Sequence, residues 1–287
     1  MTTSTPALTA DTDLYLNLLK RTLTGDLFES SDEIIGSSTA NWPGWKWRVA
    51  NRIARALDSA GYEIARKRPY NRSLRESGED WPARAESMIG LRRMDNLQHC
   101  VETVLRDDVP GDLIETGVWR GGASIFMRAV LQAHGDPTRV VWAADSFRGL
   151  PPPDPRRYPA DAGDLFFTQD ALRAGLDQVK NNFRRYGLLD DQVRFLPGWF
   201  EDTLPTAPID KLAVLRLDGD MYSSTMQALE ALYPRLSPGG FCIVDDYGAV
   251  EACRQAVADY RTAHAITEEI VPIDWTGAFW RRSPAIT

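Results

Sequence analysis

Residues 112–135 read DLIETGVWRGGASIFMRAVLQAHG. DLIETG (112–117) has the short apolar centre of a buried strand, and GASIFMRAVLQAHG (122–135) has the spacing of a helix. Gly117, Gly121 and Gly122 lie between them. Glycine lets a turn take positive φ and lets the backbone approach a ligand closely. A strand that runs through such a turn straight into a helix is the first half of a βαβ unit. The spacing is G-x-x-x-G-G, not the G-x-G-x-x-G that grips a pyrophosphate.

Reading outward toward the C-terminus, the alternation continues. RVVWAAD (139–145) is a strand and TQDALRAGLDQVKNNFRRYG (168–187) a long amphipathic helix. Strands follow at QVRFLPG (192–198), KLAVLRLD (211–218) and GGFCIVDD (239–246), with helices at SSTMQALEALYPRL (223–236) and VEACRQAVADYRTAH (250–264). EEIVPID (268–274) and GAFWRRS (277–283) have no helix between them and are expected to pair antiparallel. The fold class is therefore α/β: a Rossmann-like, mostly parallel sheet with an antiparallel C-terminal strand and helices on both faces. Such sheets bind ligands at the carboxyl ends of their strands, near the point where strand order reverses.

The first 85 or so residues differ in texture. LYLNLLKRTL (14–23) is a short amphipathic helix, NWPGWKW (41–47) an aromatic cluster, and RVANRIARALDSAGYEIARKR (48–68) a basic, helix-like stretch before the polar NRSLRESGED. This divides the chain into a helical arm or lid, 1–85, for self-association and substrate cover, and a main domain, 86–287.

Composition narrows the functional class. The 287 residues carry a net charge of −7, which argues against a nucleic-acid or anionic-membrane partner. Cys100, Cys242 and Cys253 form no C-x-x-C pair or disulfide framework, and His99, His134 and His264 make no His-rich metal cluster. The N-terminus has no apolar core of a secretion signal, and no apolar run reaches membrane-spanning length. A cytoplasmic protein is expected.

The unusual residues fall at strand ends. Asp145, in AADSFRG, lies 28 residues after Gly117, where a carboxylate can accept hydrogen bonds from both hydroxyls of a ribose. A nucleoside without a pyrophosphate suggests S-adenosylmethionine. VLRLDGDMYSST (214–225) ends its apolar run in Asp218 and Asp220, and FCIVDDY (241–247) ends in Asp245 and Asp246. Carboxylates at the edge of a core are costly, because burial and like charge both disfavour ionisation. Asp218, Asp245 and Asp246 on neighbouring parallel strands would supply the oxygen ligands that Mg²⁺ takes. The competing reading is helix capping, by Asp220 for the helix from Ser223 and by Asp246 for the helix at 250.

IETGVWRGGAS, ADSFRGLPPP, LRLDGDMYSST and LSPGGFCIVDDYG together resemble the macrocin O-methyltransferase family, as do ESMIGLRRMDNL (86–97) and LYLNLLKRTLTG near the start. The likeness runs from about 14 to 283. It implies a class I methyltransferase fold and Mg²⁺-dependent transfer of a methyl group from S-adenosylmethionine to a deoxysugar of an antibiotic. It also implies that Glu115 and Gly117 line the cofactor, with Ser124 nearby, Asp145 on the ribose, and Ser146 and Phe147 toward the adenosine. Met88, Ile89 and Gly90 match the segment that closes over the methionine end. Asp218, Asp245 and Asp246 are the implied metal ligands, with Asp218 also the base; because a carboxylate that binds metal is a weakened base, Asp220 or a water is the alternative proton acceptor. Metal-dependent catechol methyltransferases carry a lysine three residues after the first metal aspartate; Met221 stands there, which favours a sugar hydroxyl.

The expected partner is a sugar-containing small molecule, either a glycosylated antibiotic or a nucleotide-linked sugar, and the chain is expected to form a homo-oligomer. The aromatics at 42–47 and the loop PPPDPRRYPADAGD (151–164) are candidate acceptor walls, and Arg156 and Arg157 could meet a diphosphate. Three alternatives remain: methylation of another vicinal diol or a phenol, an NAD-dependent oxidoreductase, for which the pyrophosphate glycines are missing, and a non-catalytic nucleoside-binding protein.

Overall fold

The stretch 112–135 folds as read. Asp112–Thr116 is a strand and Gly122–Ala133 a helix, and Gly117 and Gly121 take φ of 89° and 92° in the turn between them. The computed structural model describes residues 10–27, 33–35, 49, 52–54, 56, 57, 59–62, 64–66 and 69–283. Within them the strands are β1 (Glu33–Ile35), β2 (Ile64–Arg66), β3 (Asp112–Thr116), β4 (Val141–Asp145), β5 (Val193–Pro197), β6 (Leu212–Leu217), β7 (Leu236–Val244), β8 (Val271–Pro272) and β9 (Ala278–Arg281). The α-helices are α1 (Ala10–Leu23), α2 (Arg72–Ser77), α3 (Leu91–Arg106), α4 (Gly122–Ala133), α5 (Leu176–Arg185), α6 (Phe200–Thr203), α7 (Tyr222–Leu232) and α8 (Glu251–Ala263).

The main sheet runs β5-β4-β3-β6-β7-β9-β8. β3, β4, β5, β6 and β7 are mutually parallel, and β9 is antiparallel to both β7 and β8. The chain builds outward from β3 to β5, then returns across β3 to start β6. The strand order thus reverses between β3 and β6, and a crevice opens at their carboxyl ends. Every residue of β6 is buried, as expected of a central parallel strand covered on both faces.

One face packs under α1, α3, α4 and α5, through Leu16, Leu23, Leu97, Phe126, Val179 and Phe183. The other packs under α7 and α8, where Leu229, Leu232, Val257 and Tyr260 meet Trp280 of β9. Leu16, Leu19 and Leu23 of α1 belong to the same buried cluster as Leu113 and Phe126. The first helix is therefore wedged into the core of the sheet's helical layer. Among the described residues no helix is long and apolar enough to cross a membrane.

The structure differs from the sequence reading in three places. The helix expected over 168–187 is regular only from Leu176, after two 3₁₀ turns at Phe166–Thr168 and Asp170–Leu172. Gly175 is the N-cap, and the indole of Trp119 donates to the Ala171 carbonyl at 2.8 Å, taking an acceptor that a continuous helix would use itself. The helix-like stretch 48–68 ends in strand β2, which pairs antiparallel with β1; Gly61 at φ 82° breaks the helical path before it. The polar NRSLRESGED contains α2, capped by the Asn71 side chain and closed by Gly78 at φ 73°. The tryptophan cluster at 42–47 lies outside the described residues.

Candidate active site at the strand switch

An open cleft lies at the carboxyl ends of β3, β4 and β6. Its walls come from Gly117 and Trp119 after β3, Asp145 and Ser146 after β4, and Asp218, Gly219 and Asp220 after β6. Met88 closes one end, and Leu150, Pro151 and Pro152 form an apolar side. Trp119, Phe147 and Asp220 have φ of 47°, 54° and 58°. Three non-glycine residues in the left-handed region, one per strand-end turn, cost about 1–3 kcal/mol each and mark backbone held for a purpose.

Asp145 is gripped by the turn it faces. Its Oδ2 accepts from the amides of Val118 (2.7 Å) and Trp119 (3.3 Å), and its Oδ1 from the amide of Phe147 (2.6 Å). Burial pushes its carboxyl up, and those amides oppose the shift. Oδ2 already accepts two amides, so the lone pair left for a hydroxyl from the cleft is on Oδ1, where Ser146 Oγ stands at 3.4 Å.

Asp218 and Asp245 extend neighbouring strands. The amide of Asp218 donates to Thr116 O at 2.8 Å and that of Asp245 to Leu217 O at 2.9 Å. One ligand oxygen from each of Asp218, Asp245 and Asp246 lies within 4.8 Å of the others. Burial, reinforced by their mutual repulsion, pushes the carboxyls of Asp218, Asp220 and Asp246 upward.

Arginine answers part of this charge. Arg216, 1% exposed near the carboxyl end of β6, donates from Nη1 to Glu115 at 2.6 Å and to Asp218 at 2.8 Å, and from Nη2 to Asp245. Burial alone would favour loss of its proton, but Asp245, Asp218 and Glu115 outweigh that and hold it charged. Arg93, also buried, donates to the other oxygen of Asp245 and to Asp274 at 2.9 Å. The acids are therefore compensated in part by two guanidiniums. Glu115, Asp218, Asp220, Asp245 and Asp246 still outnumber them, so the donor set is hard, oxygen-rich and negative, which fits Mg²⁺.

Capping explains neither acid pair. The N-caps of α7 and α8 are Met221 and Val250, without side-chain cap bonds, and Asp246 Oδ2 instead accepts from the Asp220 amide at 3.2 Å. The true cap of α7 is Asp161, from the loop after β4, which accepts from the amides of Tyr222 (2.7 Å) and Ser223 (3.0 Å). Asp161→Ala should lower stability by about 1–2 kcal/mol, read as a lower urea midpoint. An unchanged midpoint would mean the loop is not anchored there.

Of the other cofactor residues expected from sequence, Met88, Gly117 and Ser146 also line the cleft. Glu115 and Ser124 sit behind it, fully buried and hydrogen-bonded to each other; burial chiefly drives the Glu115 carboxyl up to about 7. Ile89 is buried, and Gly90 caps α3 where a Cβ would lie 2.3 Å from the Gly78 nitrogen. Phe147 packs edge-on against Phe195 at 6.2 Å. Arg157, a candidate for a diphosphate, is paired with Glu201 at 2.6 Å.

The sequence profile of the family described as Macrocin-O-methyltransferase (TylF) matches residues 12–282. The 8-demethyl-8-(2,3-dimethoxy-alpha-L-rhamnosyl)-tetracenomycin-C 4'-O-methyltransferase of Streptomyces olivaceus is 62% identical over 209 residues, covering 72% of this chain and 80% of that protein. The Mycinamicin III 3''-O-methyltransferase of Micromonospora griseorubida is 50% identical over 274 residues, 94% of this chain and 97% of its own. The solved structure of the O-methyltransferase NovP superposes with a TM-score of 0.81 at 43% identity, over 96% of this chain and 100% of that one.

Proposed function

The chain belongs to the macrocin O-methyltransferase family, and we propose that it moves a methyl group from S-adenosylmethionine to a hydroxyl of a deoxysugar in antibiotic biosynthesis, with Mg²⁺ held by Asp218, Asp245 and Asp246. The observation that carries this reading is the meeting of those three carboxylates within 4.8 Å, with Asp218 on the wall of the cleft that Gly117 and Asp145 also line.

When bound, the donor would supply an electrophilic sulfonium methyl and the ion would make a nearby hydroxyl more acidic. The rest falls to the chain. Asp145 takes the ribose hydroxyls and Met88 covers the opposite end of the donor. Leu150, Pro151 and Pro152 keep water from the reacting pair. Asp218 is the base that the family likeness implies, but its Oδ2 is engaged by Arg216, and a carboxylate that also holds a cation is a weakened base. Asp220, two residues on and on the cleft wall, is the better proton acceptor.

A glycosylated acceptor fits better than a nucleotide-linked sugar. Among the described residues lining the cleft there is no lysine, arginine or histidine, while Asp145, Glu201, Asp218 and Asp220 all line it. The cleft thus offers a diphosphate no guanidinium or ammonium of its own to pair with. The tetracenomycin relative is named for a rhamnosyl substrate, which supports the same choice. The arm's exposed Leu14, Tyr15 and Leu18 on α1 support self-association, to be checked by sedimentation.

Two measurements test the reading. S-adenosylhomocysteine should bind in calorimetry while NAD does not. EDTA should abolish turnover and Mg²⁺ restore it; full activity in EDTA would remove the metal from the mechanism.

A further inference from the structure

We propose that Arg216 and Arg93 are positioning residues of the carboxylate centre: two buried guanidiniums that each hold carboxylate oxygens by one lone pair and so aim the rest at the divalent cation. The inference rests on the metal reading above and adds residues to it that lie behind the ligands.

The geometry is specific. Arg216 stands in register with Glu115 of β3 and Ile243 of β7, so its side chain spans the strand switch. Its fork joins acids from three adjacent strands: Glu115 of β3, Asp218 after β6 and Asp245 after β7. Arg93 reaches the same Asp245 from α3 and is itself fixed by Asp274. Both oxygens of Asp245 are thus held by different arginines, which sets the plane of that carboxylate. A carboxylate oxygen has two lone pairs, so a guanidinium on one leaves the other for a cation.

Without these contacts, acids brought this close would splay apart by like-charge repulsion. Hydrogen bonds to ligating carboxylates commonly orient them, and losing one typically costs 10–100-fold in metal affinity. Lysine cannot replace the fork, because its ammonium is a single point charge with no fixed spacing between donors. Arg216→Lys therefore keeps the charge and removes only the geometry.

The test is a titration of Mn²⁺, by calorimetry and by its electron paramagnetic resonance signal, into the full-length protein and its Arg216→Lys variant. S-adenosylhomocysteine binding and near-ultraviolet circular dichroism are measured alongside. The expected result is Mn²⁺ affinity lower by roughly 10–100-fold, with S-adenosylhomocysteine affinity and the dichroism spectrum unchanged. A purely structural arginine would lower the melting temperature and leave Mn²⁺ affinity alone; that outcome overturns the proposal. If the parent protein itself takes up no Mn²⁺, the metal reading falls and this inference with it. Should Arg216→Lys fail to fold, Arg93→Lys is read by the same criterion, since it leaves the contacts of Arg216 with Glu115 and Asp218 in place.

Discussion

Asp246→Asn should lower kcat/KM by roughly 10²–10³ at a fixed, limiting Mg²⁺ concentration, the range seen when one group stabilising transition-state charge is removed. Asp246 is the informative position among the three carboxylates. Asp245 carries two arginine contacts and Asp218 one, so neutralising either also strands a buried guanidinium. Breaking such a pair typically costs 3–5 kcal/mol on its own. Asp246 Oδ2 instead accepts the Asp220 amide at 3.2 Å, a bond the asparagine carbonyl can keep. The fold and S-adenosylhomocysteine affinity should therefore survive, and raising Mg²⁺ should recover part of the rate. Parent-level turnover at the same limiting Mg²⁺ would show that Asp246 is no ligand.

The contrast between the acids and their arginines shows what the sequence made legible. Asp218, Asp245 and Asp246 stood out because each ends an apolar run, and the parallel alternation places such ends side by side. Arg216 left a local trace too, as a charged residue within the six-residue buried strand β6. Its meaning, though, depends on strand register, which no local pattern encodes. Arg93 was out of reach altogether: it is 152 residues from Asp245 and reads as an ordinary polar position on α3. Asp161 is the same kind of case, capping a helix 61 residues downstream while Asp220 sat nearer in sequence. Periodicity carried the strands and most helices. It overran at 168–175, because amphipathic spacing persists there although Trp119 captures the Ala171 carbonyl.

Gly117→Ala tests the switch point itself and should be the most damaging single methyl among the described glycines. Gly117 has φ 89°, and a Cβ there would lie 1.6 Å from the Asp218 carbonyl oxygen and 2.6 Å from its carbon. Neither partner can yield. Gly117 N is bonded to Ala144 O at 2.9 Å, and the Asp218 amide to Thr116 O at 2.8 Å, so the methyl would have to part β3 from β6. Loss of more than about 4 kcal/mol is expected, in the range reserved for gross steric or network failure. Gly135→Ala is the control: φ is 68° there too, but nothing lies within 4 Å of its Cβ. It should cost only the left-handed conformation, about 1–2 kcal/mol. Urea midpoints separate the two, and any folded Gly117→Ala should lose S-adenosylhomocysteine and Mn²⁺ binding together, because one displaced backbone carries both the cleft wall and Asp218. Equal midpoints for the two variants would mean that β3 and β6 do not close on each other as tightly as the glycine requires.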